Sequence, residues 1–184
     1  MRIFAAFDIP EEAKNSIFRI TRNLQIFNNK GINWVPYENL HITLQFVGEV
    51  TGTELKQIQE ILSVELLECP KFKCSNIELQ LIPAKDPKLL WLYLHTNTEL
   101  IYKVQKKLQS KLKSMNLNTD KKPLKLHITL GRIKKRLPDY FIKQVLSENY
   151  LIQDFVVSQA TLYKSFLRQK GLVYVESAKF NLRN

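Results

Sequence analysis

The tetrapeptide His-Ile-Thr-Leu occurs twice, at 41–44 and at 127–130, each time inside a strand-like run. The chain has three histidines, and two of them head this repeat. From ordinary residue usage, a match of the three residues that follow is on the order of one in a few thousand. Alternate side chains of a strand share a face, so His41 and Thr43 point one way while Ile42 and Leu44 fill the core behind them. His127 and Thr129 are backed in the same way by Ile128 and Leu130. The copies lie 86 residues apart, about half of the 184-residue chain. That separation predicts two similar lobes, each offering one His-Thr face to a shared cleft.

The rest of the patterning agrees with such a layout. Residues 2–8 alternate and read as a strand, and Pro10-Glu11-Glu12 opens a helix with proline at its first position and acids in its first turn. Strands are predicted over 32–36 and 40–47 around a turn at Pro36-Tyr37-Glu38-Asn39. A helix capped by Thr51 or Thr53 follows, carrying Leu55, Ile58, Leu62 and Leu66. Strands near 72–82 and 89–95 precede a helix capped by Thr98, with an apolar stripe of Ile101, Val104, Leu108, Leu112 and Met115. Further strands fit 124–133, 154–166 and 172–181, with a helix beginning near Asp139. No linker divides the chain, so residues 1–184 are expected to form one domain. The mixed order, with neighbouring strands able to pair as hairpins, predicts an α+β fold of antiparallel sheets with helices on their outer faces.

The net charge of +11 arises within residues 103–143, where thirteen basic residues meet only Asp120 and Asp139. This stretch is either a sequence-independent attractor for phosphate backbones or a solvated Lys-rich face. With 45% hydrophobic residues the chain can bury a core, and no apolar run approaches the roughly 18 residues of a membrane span. The opening Met-Arg-Ile-Phe-Ala-Ala-Phe-Asp is apolar for too few residues to be a signal-peptide core. A soluble cytoplasmic monomer without membrane contact is expected. Cys69 and Cys74 are too few for a disulfide framework and read as reduced and structural.

Two imidazoles and two hydroxyls facing one another suit phosphodiester cleavage. Near neutral pH one imidazole can accept a proton while the other donates one. The threonines can hydrogen-bond nonbridging phosphate oxygens, and a cation would offset the charge that grows there. Arg132 is the leading candidate. Simple alternation puts it on the face opposite His127, unless Gly131 hosts a bulge that turns it back. Other chemistries fit less well: neither motif brings an Asp, Glu or Cys at metal-ligand spacing, and no Gly-x-Ser-x-Gly is present. His95, at the end of an apolar strand, reads as a strand-end residue.

These motifs resemble the 2H phosphoesterases, named for two His-x-Thr-x motifs, and within them the LigT-like RNA 2′,3′-cyclic phosphodiesterases, also called 2′-5′ RNA ligases. The resemblance runs through the Arg2–Glu12 segment, Trp34-Val-Pro-Tyr-Glu-Asn-Leu-His-Ile-Thr-Leu, Leu90-Trp91, His127-Ile-Thr-Leu-Gly-Arg132, Leu162-Tyr163-Lys-Ser165 and Gly171-Leu-Val-Tyr174. It implies a bilobal fold of two pseudo-symmetric lobes around a central cleft. It also implies hydrolysis without metal or cofactor, opening an RNA terminal 2′,3′-cyclic phosphate to a 2′-phosphate. In that scheme His41 is the proton donor to the leaving 3′ oxygen and His127 the base that activates water. Thr43 and Thr129 bind the phosphate, Arg132 assists, and Phe46 lies where the family has an aromatic residue near the substrate. Strand parity, however, puts Phe46 with Ile42 and Leu44 on the core side. Two departures concern substrate preference: Asn33 and Leu126 stand where many relatives have Arg and Pro. The reverse reaction, forming a 2′-5′ linkage, is allowed by microscopic reversibility. A reading of another class is a non-catalytic RNA-binding module using the basic 103–143 face.

Overall fold

A sheet with each half built around one of the two motif strands positions everything else. The structure, a computed structural model, describes residues 1–28, 30–117, 119–147, 150, 152–169 and 171–184. Its first half is made of β1 (Arg2–Phe7), β3 (Ile42–Glu49), β8 (Gln159–Arg168) and β9 (Gly171–Asn181). The second is made of β4 (Phe72–Ile82), β5 (Leu89–Thr96), β6 (His127–Ile133) and β7 (Phe155–Val157), with β2 (Ile32–Trp34) alongside β6. Strand order is β7-β4-β5-β6-β3-β1-β8-β9, and the ladders between these strands are antiparallel. The halves meet at a narrow seam, where the β3–β6 ladder consists of Ile42 facing Ile128. After β9 the chain returns to the start of β4, with the Arg183 amide donating to the Cys69 carbonyl and the Lys71 amide to that of Arg183. Joining elements from opposite ends of the strand order requires the sheet to curl.

The helices form where the apolar periodicity places them: α1 (Glu11–Phe27), α2 (Gly52–Leu67), α3 (Leu100–Ser114) and α4 (Asp139–Ser147). Thr51 caps α2 through a reciprocal capping box with Glu54. Thr98 lies just outside α3, which is capped at Glu99, and its hydroxyl accepts the Leu100 amide. Ile101, Val104, Leu108 and Leu112 are buried as the stripe predicts. Met115 is the C-cap and only partly buried. The buried face of each helix joins one contiguous apolar cluster that runs through both halves of the sheet. Phe7 of β1 meets Phe72 of β4 edge-on within it, at 4.9 Å. Among the described residues no helix is long and apolar enough to cross a membrane.

One predicted element divides. The run 154–166 is two strands that part at Ser158, β7 pairing with β4 and β8 with β1. No glycine or proline marks the break, because the chain does not turn there. It exchanges one sheet partner for another while staying extended, and the Ser158 carbonyl accepts the Leu182 amide. Cys69 and Cys74 are buried free thiols whose pKa burial pushes up to about 12, which keeps them unreactive.

Candidate active site at the seam of the sheet

The pairing of Ile42 with Ile128 fixes the site. In an antiparallel register, directly opposed residues share a face. Counting outward from that pair sets His41 opposite Thr129 and Thr43 opposite His127. The isoleucines are fully buried, while all four polar residues lie on the other face and remain partly accessible.

A second regularity brings further residues to that face. In the β1–β3 ladder Ala6 faces Thr43 and Ala5 faces Gln45, so Leu44 is passed over. In the β5–β6 ladder Trp91 faces Thr129 and Leu90 faces Gly131, so Leu130 is passed over. The fourth residue of each tetrapeptide is therefore a bulge, and the facing of the residues after it is reversed. Gln45 consequently turns into the interior, and Phe46, 48% exposed, turns onto the open face, against the strand-parity expectation. By the same reversal Arg132 joins the face of His127 and Thr129. The bulge lies at Leu130, one residue before the glycine that the sequence singled out. Gly131 serves another end: a Cβ there would sit 2.6 Å from Ile32 Cγ2, so its absence lets β2 lie against β6. Asn33 stands directly across from Arg132, and Leu126 is buried with its carbonyl accepting the Leu94 amide.

Both imidazoles are held alike. His41 Nδ1–H donates to the Asn39 carbonyl at 2.7 Å, and His127 Nδ1–H to the Lys125 carbonyl at 2.7 Å. A carbonyl can only accept, so each neutral ring carries its proton on Nδ1 and turns an Nε2 lone pair away from the backbone. The Thr43 hydroxyl donates to that lone pair on His41 at 3.0 Å. The aromatic surroundings differ. His127 stacks on Trp91 with ring centroids 3.9 Å apart, whereas His41 meets Phe4 at 5.0 Å and the edge of Tyr174 at 5.5 Å. Asn39 ties these layers together: its carbonyl orients His41 and its amide donates to the Leu172 carbonyl of β9 at 2.8 Å.

Burial lowers the pKa of both histidines, that of His41 to about 4. The cations nearby act in the same direction: Arg132 on both rings, Lys14 on His41, Lys125 on His127. In the free protein both imidazoles are therefore neutral near pH 7, in a pocket whose surrounding charges are positive. His95 is exposed at the end of β5, beside Glu78. Among the described residues no group of three or more His, Cys, Asp or Glu side chains gathers as metal ligands.

Trp91, Phe4, Asn39 and Tyr174 are site residues that no spacing rule brings forward. Their contacts with the histidines cross from strand to strand or from loop to strand, and only the register reveals them. The signal available was the resemblance, whose segments contain all four residues.

The fold and the opposed His-x-Thr pairs define a two-histidine phosphoesterase. The family model described as LigT like Phosphoesterase matches residues 7–91. An RNA 2′,3′-cyclic phosphodiesterase of Methanocaldococcus jannaschii is 32% identical over 181 residues, covering 95% of this chain and 96% of the relative. One of Thermotoga maritima is 30% identical over 175 residues, covering 95% and 91%. The crystal structure of TT0787 of Thermus thermophilus superimposes with a TM-score of 0.83 at 25% identity, covering 100% of this chain and 98% of that one. Apo LigT of E. coli shares the fold, with a TM-score of 0.77. The chain belongs to the LigT-like phosphoesterases.

Proposed function

We propose that this protein hydrolyses the terminal 2′,3′-cyclic phosphate of RNA to a 2′-phosphate, by general acid–base catalysis between His41 and His127. The observation that carries the proposal is the opposition of the two His-Thr pairs across Ile42 and Ile128. Relatives with that activity in their names, about 30% identical over nearly the whole chain, support it.

In the reaction His127 Nε2, which has a lone pair and, among the described residues, no backbone partner, takes a proton from water as the water oxygen bonds to phosphorus. The bond from phosphorus to the 3′ oxygen breaks, and His41 Nε2–H supplies the proton to that oxygen. Thr43 and Thr129 donate to the nonbridging oxygens, and Arg132 offsets their growing charge. Because His41 is neutral in the free protein, its acid form comes with the substrate. The anionic phosphodiester counters the repulsion of Arg132 and Lys14, which raises the His41 pKa. The Thr43 hydroxyl, released from Nε2, is then free to turn to the phosphate. Phe46, exposed beside Phe4 at a 5.8 Å centroid distance, offers a face to the terminal base.

The test is an EDTA-treated preparation given short RNA ending in a 2′,3′-cyclic phosphate between about pH 5 and 9, with 2′- and 3′-phosphate products resolved. A 2′-phosphate product with a bell-shaped profile is expected. His41→Ala and His127→Ala should each lose about 10²- to 10⁴-fold in turnover, with thermal melting retained. Turnover that survives both substitutions excludes the mechanism.

A further inference from the structure

The segment 119–126, between α3 and β6, is held in an unusual way. Its carbonyls are gripped by three glutamines. Gln45 Nε2 donates to the Asp120 carbonyl at 2.8 Å, Gln109 Nε2 to those of Asp120 at 3.2 Å and Lys122 at 2.9 Å, and Gln105 Nε2 to that of Lys122 at 3.3 Å. Gln45 and Gln105 are themselves buried and joined, Gln105 Nε2 donating to Gln45 Oε1 at 3.1 Å. Gln45 is in the interior because of the Leu44 bulge. Buried amides with satisfied partners impose one geometry on what they hold.

The ends of this segment touch both motif strands. The Asp120 amide donates to the Phe46 carbonyl of β3 at 3.3 Å, and the Lys125 carbonyl holds His127 of β6. The segment thus borders the site from exposed Phe46 to His127. On it Lys121, Lys122 and Lys125 are exposed, and Asp120 is the one acid, 4.0 Å from Lys122. A backbone held by three glutamines and carrying exposed ammonium groups beside a phosphate-processing site fits a chain of phosphates better than a single one.

We infer that the 119–126 segment docks the backbone phosphates of RNA upstream of the reacting end, so that the substrate is an oligonucleotide rather than a mononucleotide. The inference rests on the RNA reading above and adds to it the substrate length and the residues that select for it. Lys121 and Lys122 provide the contacts. Lys106 and Lys107, which are exposed on α3, belong to the same basic stretch but not to the clamped segment.

Binding separates this inference from catalysis. The probe is a 5′-fluorescein-labelled eight-nucleotide RNA ending in a 3′-phosphate, which has no cyclic ester to open, followed by fluorescence anisotropy across a salt series. The Lys121→Ala/Lys122→Ala variant should raise Kd about tenfold at low salt and reduce the slope of log Kd against log salt by roughly 1.4, about 0.7 per lost phosphate contact on a single strand. Lys106→Ala/Lys107→Ala, which removes the same charge from α3, should change Kd less than about threefold, as expected for screened charges outside the contact. Wild-type affinity in the first variant, or equal loss in both, overturns the inference. Docking through Lys121 and Lys122 without turnover of any cyclic phosphate would uphold it and remove the hydrolase reading instead.

Discussion

Phe46 and Arg132 occupy equivalent places in the two halves, each five residues beyond its histidine and each turned onto the site face by a bulge at the intervening leucine. One half thus sets an aromatic ring beside the reacting centre, and the other a guanidinium. A symmetric frame therefore serves an asymmetric purpose, with apolar contact on one side of the phosphate and charge on the other.

Phe46 is half exposed, so its removal should leave the fold almost untouched. Phe46→Ala is expected to shift stability by less than about 0.5 kcal/mol while raising KM for cyclic-ended RNA about tenfold, the cost of one lost base stack. Thermal melts and steady-state kinetics on one preparation check both parts. Unaltered KM would return Phe46 to a passive role.

Trp91 lies face to face with His127 and should stabilise the imidazolium that forms when this ring takes a proton, because a cation is attracted to an indole face. Trp91→Ala is expected to lower kcat roughly tenfold, with a smaller change in KM, and Trp91→Phe to restore most of it. A loss confined to stability, with kcat unchanged in the folded fraction, would show that the stack only packs.

Acid should destabilise the protein through His41. Its folded-state pKa, about 4, lies below the ordinary value of 6.5. Between these values the unfolded chain binds more protons, so the stability present above about pH 6.5 is lost as pH falls. Asp8, whose carboxyl burial pushes upward, acts with the opposite sign, so the comparison must be with a variant. Urea unfolding from about pH 7 to pH 4 should show a shallower loss in His41→Ala than in wild type, by up to about 3 kcal/mol. Parallel curves would mean that the ring is more hydrated than its surroundings suggest.

Gly131→Ala should cost about 1–3 kcal/mol, because the added methyl would enter the space of Ile32 Cγ2. β2 and β6 would have to separate, and Arg132 stands in that ladder. Activity is therefore expected to fall along with Tm, measured by calorimetry and by initial rate below the transition. A variant as stable and active as wild type would show that β2 can yield.

The antiparallel α+β plan was legible from the sequence because both periodicities were strong: alternation around Ile42 and Ile128, and a 3.6-residue stripe from Ile101 to Leu112. The facing of His41, Thr43, His127 and Thr129 followed from alternation alone. That of Phe46 did not, since a bulged leucine looks like any other leucine in a strand and alternation carried through Leu44 gives the wrong side. The exchange of partners at Ser158 was hidden for a related reason: it is an event between strands, and the local chain stays extended. The Trp91–His127 stack and the glutamine clamp depend on residues brought together from distant positions, about which local patterning is silent.

The position of β1 has a consequence for how the molecule comes into being. This strand lies between β3 and β8, so one of its edges is completed only by residues 160–165, almost at the other end of the chain. During synthesis Ile3, Phe4 and Phe7 must wait with an open edge until residues 160–165 have been made, which is a contact pattern that slows folding and exposes strands to misassociation. The site inherits that dependence: Phe4 and Tyr174 flank His41 from strands far apart in the sequence, so the surroundings of this ring are complete only after Tyr174 has been made.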